Sequence, residues 1–189
     1  MKYTVTFKKL IGHFKTITKH KILVTKMCFK CGLIKQGLKH DMSKLSPIEF
    51  WSGVKFFQGN RSPITAEKEE YGYSFGWLHH QGRNPHHWEY WIDKDYRDTT
   101  LKVLKMPLNY ILEGTIDRIA ASKVYNSEYN DSSAYNFLMN GKDRNFMGLE
   151  NLRRFELLLS YLMVNGETKA LKYYRDLYRK WKKNKTFDI

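Results

Sequence analysis

Twice this chain spells out a helix start with a serine cap and a first-turn proline, and almost nowhere does it offer the alternation of a strand. Ser46-Pro47-Ile48-Glu49 combines an N-cap hydroxyl, a first-turn proline and an acidic third position. Ser62-Pro63 repeats the device. The first start predicts a helix through about Phe57, and the second predicts one extending to His80. Residues 3–18 mix apolar and lysine positions at helical spacing, and "KHKILVTKMCFKCG" forms a second such segment ending at Gly32. Gly82 and Asn84-Pro85 break the pattern, after which "HHWEYW" begins something new. Pro107 opens a long segment with Ile111, Ile116, Ile119 and Ala120 as its apolar positions, and "AYNFLMN" reads as a short helix. Residues 148–164 and 167–183 read as a closing helical hairpin. The expectation is an all-α bundle of about seven or eight helices.

At 189 residues, 42% hydrophobic and 28% charged, the chain is long enough for one domain with a substantial core and too apolar for a disordered segment. No apolar run approaches the roughly 20 residues that span a bilayer, and the start lacks a signal-peptide core. A cytoplasmic protein with no membrane partner is expected. Cys28 and Cys31 make a lone C-x-x-C with no second pair to complete a zinc site and no thioredoxin-like surroundings, so two reduced, mostly buried thiols are expected. No phosphate-binding glycine loop, GxSxG elbow or paired-carboxylate glycosidase signature is present.

The net charge of +14 is uneven. Residues 1–44 carry 11 lysines and one aspartate, and residues 167–189 carry eight basic and three acidic side chains. The long middle is close to neutral. Such termini favour anionic partners, whether a phosphorylated small molecule or nucleic acid.

All seven histidines lie between positions 13 and 87, and several fall in tight groups: His40-Asp41, His79-His80 and His86-His87. His20 opens the second helical segment, and Asp117 lies inside the helix that follows Pro107. Imidazole and carboxylate together suit zinc, iron, manganese and related divalent ions, and a shared carboxylate can join two of them. His20, His40, Asp41 and Asp117 are candidate ligands of one ion, and the two His-His pairs flanking the break at residues 81–85 could supply a second. His13 is read as a core histidine outside the site. Glu49 is read as the return partner of the Ser46 cap, and Glu89 as a carboxylate that fixes an imidazole. Lys44, three residues past Asp41, could meet a phosphate beside the ion. Arg83 and Asn84, between the His pairs, and Lys123, on the Asp117 helix, are further candidates for holding substrate.

The order of a histidine, an adjacent His-Asp and a later aspartate on separate helices resembles the HD-domain superfamily of metal-dependent phosphohydrolases. That resemblance covers residues 18–125, with residues 132–189 as a C-terminal hairpin beyond it. It implies a single HD-type helical domain over 1–189, with His20, His40, Asp41 and Asp117 on the first ion. Asp41 would then bridge to a second ion held by one histidine of each pair, His80 and His87 foremost. A closer resemblance is to a bacterial and phage family of unknown function, on the pattern "TITKHK…GLKHDMSK…SPIEF…GNRSP…WLHH…GRNPHHWEYW…DRIAASKVY". The function implied by the HD resemblance is hydrolysis of a nucleotide or other small phosphate ester. One or two divalent ions (Mn, Fe, Zn, Co, Ni or Mg) would serve as cofactor. Catalysis would rest on Asp41 and Lys44. A di-iron oxygenase on the same fold, or a basic nucleic-acid-binding protein or nuclease, are the other readings.

Overall fold

The computed structural model describes residues 3–189. Nine α-helices are present among them: α1 (Phe7–Lys30), α2 (Ile34–Lys39), α3 (Pro47–Phe56), α4 (Pro63–Tyr71), α5 (Phe75–Gln81), α6 (Leu108–Tyr125), α7 (Ser133–Asn140), α8 (Leu149–Asn165) and α9 (Glu167–Lys183). The fold is mostly α and forms one domain. Two expected segments fuse into α1, because nothing between Thr16 and Lys21 breaks the helical pattern. The single helix expected from Pro63 to His80 is instead two. Gly72 takes a left-handed φ of 79° and ends α4, and the Ser74 hydroxyl then accepts from the Trp77 amide at 2.9 Å to start α5. Strand structure, which the sequence scarcely suggests, is limited among the described residues to a small hairpin. In it β1 (Ile92–Lys94) pairs antiparallel with β2 (Leu101–Val103), Ile92 opposite Val103.

The core forms around α6. Ile111, Leu112, Ile116, Ile119 and Ala120 are all fully buried, because α6 is enclosed by α1, α7, α8 and α9. A helix apolar on most of its surface must be surrounded, and this one is. From α1 the core receives Val24, Met27 and Cys28; from α8, Phe155, Leu158, Leu159 and Leu162. Cys28 and Cys31 are free, and Cys31 Sγ lies 3.5 Å from the Leu171 carbonyl at the meeting of α1 and α9. In the second layer α4 and α5 pack on α3, which meets α1 and the turn at residues 42–45. The groups described next lie where this layer meets α1 and α6.

Candidate metal centre

Histidine ligands come to one point only if their backbones are fixed first. His20 lies on the buried face of α1 with His13, Val24 and Met27. His40 caps the C-terminal end of α2, where the Lys21 ammonium donates to the carbonyls of Gly37, Leu38 and His40 at 3.1, 2.7 and 2.6 Å. One lysine thus takes up carbonyls that a helix end leaves without partners. Asp41 then adopts φ 54° and ψ 23°, a left-handed conformation that aspartate tolerates better than most residues. This reversal lets two consecutive side chains face the same centre.

The second group grows from the C-terminal end of α5 and the turn after it. Asn84 is buried, and its amide donates to the Ser43 hydroxyl at 2.8 Å and the His80 carbonyl at 2.7 Å. The turn is anchored again by Trp91, whose indole N–H donates to the Pro85 carbonyl at 2.7 Å. His86 can lie against α6 only because residue 114 is glycine. A Cβ there would stand 2.6 Å from the His86 carbonyl oxygen.

The result is two donor sets sharing Asp41. Its Oδ2 lies 3.5 Å from His20 Nε2 and 3.3 Å from His40 Nε2, and Asp117 Oδ1 is 2.9 and 3.4 Å from the same two nitrogens. Its Oδ1 lies 3.3 Å from His80 Nε2 and 3.5 Å from His86 Nε2, while His80 Nε2 and His87 Nε2 are 3.0 Å apart. Within each set the donor atoms lie inside 4.8 Å of one another. Four ligands arranged tetrahedrally at about 2.1 Å from a cation are themselves separated by about 3.4 Å, so the spacing fits a metal ion in either set. Orphaned atoms agree with the fit. Asp41 Oδ1 and His86 Nε2 are buried without a hydrogen bond, a costly state that a cation would relieve, while Asp41 Oδ2 has the Lys44 ammonium at 2.6 Å.

Behind the donor sets stand two carboxylates that the sequence reading did not assign to this role. Glu113 Oε1 receives His40 Nδ1 at 3.0 Å and His86 Nδ1 at 3.3 Å, one histidine from each set. Glu49 accepts from His80 Nδ1 at 2.7 Å through one oxygen and from His79 Nδ1 at 2.6 Å through the other. Holding Nδ1 leaves Nε2 free toward the centre, as an imidazole that is to bind a metal requires. The Ser46 cap forms as expected, its hydroxyl accepting from the Glu49 amide, but the Glu49 carboxylate turns to the histidines and not back to Ser46.

Charge in the cluster is balanced among its own members. Burial pushes the Asp41 carboxyl up, yet His40, Lys44 and His80 outweigh it and hold it well below the usual carboxylate range. Asp117 is likewise held low against burial by His20 and His40. Burial would lower His40, but Asp41 and hydrogen bonds to Asp117 and Glu113 raise it well above an ordinary imidazole. His87 goes the other way, lowered by burial and by His86 and His80. Lys44, with its Nζ 2.6 Å from Asp41 Oδ2, is raised by Asp41 and Asp117 in spite of burial and stays cationic.

Not every expected residue reaches the centre. His79 faces Glu49 and belongs to neither donor set, because its neighbour His80 takes the inward position at the end of α5. His86 joins His87, so the second pair supplies both of its histidines. Arg83 is exposed and donates to the His79 carbonyl at 3.3 Å, and Asn84 is occupied with Ser43 and His80. Lys123 pairs with Glu167 at the start of α9 and lies over the Tyr129 ring, away from the centre. Glu89 fixes no imidazole. Its Oε2 is buried without a partner, and burial raises its carboxyl. His13, placed outside the site, sits among Phe50, Phe57 and Gly53, and burial followed by Lys44 lowers it to about 4. Beside the centre lies a cavity of about 60 Å³ lined by Lys44, Tyr125, His13, Glu49 and Ser52 among others. Tyr125 was also missed, although it follows Asp117 by two steps of four residues on α6.

A sequence profile for a family of unknown function, DUF5662, matches residues 9–156, which take in every residue of both donor sets. The chain belongs to DUF5662. No curated protein and no solved structure matches it. Among the helices, only α9 lies wholly outside the stretch that matches DUF5662.

Proposed function

We propose that this member of DUF5662 is a metal-dependent phosphohydrolase of the HD-domain type, acting on a small phosphate ester. The observation that carries the reading is the shared carboxylate: Asp41 Oδ2 faces one donor set and Oδ1 the other. His20, His40, Asp41 and Asp117 would hold one divalent ion, and Asp41, His80, His86 and His87 a second. Ions held there supply Lewis acidity and lower the pKa of a bound water from 15.7 to about 7. Glu113 and Glu49 keep the imidazoles of His40, His86 and His80 turned with Nε2 inward. Lys44 stands between Asp41 and the cavity, a fixed cation for the oxygens of a phosphoryl group on which negative charge develops.

The cavity of about 60 Å³ meets the donor sets only through Lys44 and Glu49, and a phosphoryl group would sit at the Lys44 side of it.

Elemental analysis of gently purified protein, followed by a phosphoester panel with Mn and other divalent ions, tests the reading. Release of inorganic phosphate is expected. Lys44→Ala should keep the metal and lose about 10²–10³ in turnover. A fully metal-loaded protein with no turnover across the panel overturns the hydrolase. A coloured, iron-loaded protein that consumes oxygen with an organic substrate assigns the same ligands to an oxygenase.

A further inference from the structure

α1 carries seven lysines and no acidic residue. Two of them turn inward: Lys9 donates to the carbonyls of Thr4 and Lys55, and Lys21 to those at the end of α2. The other five, Lys8, Lys15, Lys19, Lys26 and Lys30, are exposed and recur at alternating steps of seven and four residues. At about 100° per residue they fall within about 60° of arc, and at about 1.5 Å per residue they form a straight row about 33 Å long. None has an ion-pair or hydrogen-bond partner for its ammonium among the described residues.

Beside this row runs a second. Phe7, Phe14, Ile22 and Phe29, at steps of seven, eight and seven, are 79%, 49%, 47% and 42% exposed. α2 continues both patterns with exposed Ile34 and Leu38 and exposed Lys35 and Lys39. It is fastened to α1 by Lys21 and by the Thr25 hydroxyl, which donates to the Gly37 carbonyl at 2.8 Å. Phe29 lies against it at Gly37. His13, His20, Val24 and Met27 are buried on the other side of α1, so this surface faces away from the metal centre.

We propose that α1 and α2 form a docking surface for an anionic lipid bilayer, with the lysines at the headgroup phosphates and the apolar row in the boundary above the acyl chains. The apolar row distinguishes a lipid surface from other polyanions. Ile22, Ile34 and Leu38 have no ring to stack on a base, whereas the headgroup–acyl boundary takes aliphatic and aromatic side chains alike. A second copy of the chain would set one lysine row against another. The attachment is peripheral, since no helix among the described residues is long and apolar enough to cross a membrane. A control is present in the same molecule. α9 exposes Lys169, Lys172, Arg179, Lys180 and Lys183, with no exposed large apolar side chain among them.

Co-sedimentation of the full chain with vesicles decides the matter. Binding is expected to phosphatidylcholine vesicles containing phosphatidylglycerol and not to phosphatidylcholine alone. Lys15→Glu/Lys19→Glu/Lys26→Glu should weaken it by roughly tenfold or more, and Lys169→Glu/Lys172→Glu/Lys180→Glu, an equal change of charge, by clearly less. Phe14→Ala/Phe29→Ala should weaken it severalfold with the charge untouched. Circular dichroism confirms that each variant is folded. The assignment is overturned by no binding to the anionic vesicles at low salt, by equal losses from the α1 and α9 variants, or by a double alanine variant that binds as well as the parent. Single-stranded DNA that binds more tightly and displaces the vesicles would give the surface to nucleic acid.

Discussion

His13 and His20 lie two turns apart on the same face of α1, and both are buried, at 6% and 5% exposure. Around His20 stand two carboxylates and a second imidazole, with Asp117 Oδ1 at 2.9 Å. Around His13 stand the rings of Phe50 and Phe57, the Cα of Gly53 and a lysine, and its Nδ1 has no partner. Burial alone therefore does not bring a histidine into a donor set. What separates the two is whether the opposing elements bring carboxylates, which α6 and the turn after α2 do for His20 and α3 does not do for His13.

The most severe way to break the contrast is to remove the carboxylate both donor sets share. Asp41→Ala should take the metal content of purified protein from two ions per chain toward none, read by elemental analysis; a variant that keeps its full complement would deny the bridging role. Next comes the direct exchange. His20→Ala should lose the ion of its own set and His86→Ala that of the other, while His13→Leu leaves the metal content unchanged. Loss of metal from the His13 variant would erase the distinction drawn between the two histidines.

Acid should test the His13 side of the contrast. The folded protein holds His13 at about 4, below the ordinary value of 6.5. The unfolded chain therefore binds this proton more readily. Stability is fully present above about pH 6.5 and is lost as the pH falls toward about 4, by about 3 kcal/mol at most. Denaturant unfolding of the parent and of His13→Leu across that window should show the variant losing less. The mildest test concerns Glu113, which touches both sets through His40 and His86. Glu113→Gln should keep both ions but weaken each by about 10–100-fold, measured by chelator competition, whereas a loss confined to one set would show that Glu113 serves only that one.

Periodicity could not have told His13 from His20, since seven residues return a helix to nearly the same face. The order of histidine, adjacent His-Asp and later aspartate grouped His20 with Asp41 and Asp117, and the structure brings those side chains together, although only His40-Asp41 stands at a helix end. Helix starts at Ser46 and Pro107 and the hairpin of α8 and α9 were legible from local cap, proline and glycine signals. The division between α4 and α5 was signalled by Gly72 and Ser74 and was overridden by the apparent continuity of the pattern around them. Glu113 was legible in principle, lying four residues before Asp117 on one face of α6. Glu49 was not. Its backbone does join a cap, and only the placement of α5 against α3 reveals where the carboxylate goes. Where Lys123 and Arg83 go was not legible for a related reason: a long cation reaches acceptors on other elements, here Glu167 and the His79 carbonyl.

The two thiols of the core carry a practical consequence. Burial drives both Cys28 and Cys31 upward, so at neutral pH neither offers appreciable thiolate to an alkylating reagent while the chain is folded. Iodoacetamide can reach either only when the packing of α1 opens, against α9 at Cys31 and against Gly37 of α2 at Cys28. The rate at which label accumulates is then a clock for that opening, supplied by the native residues with no probe to engineer.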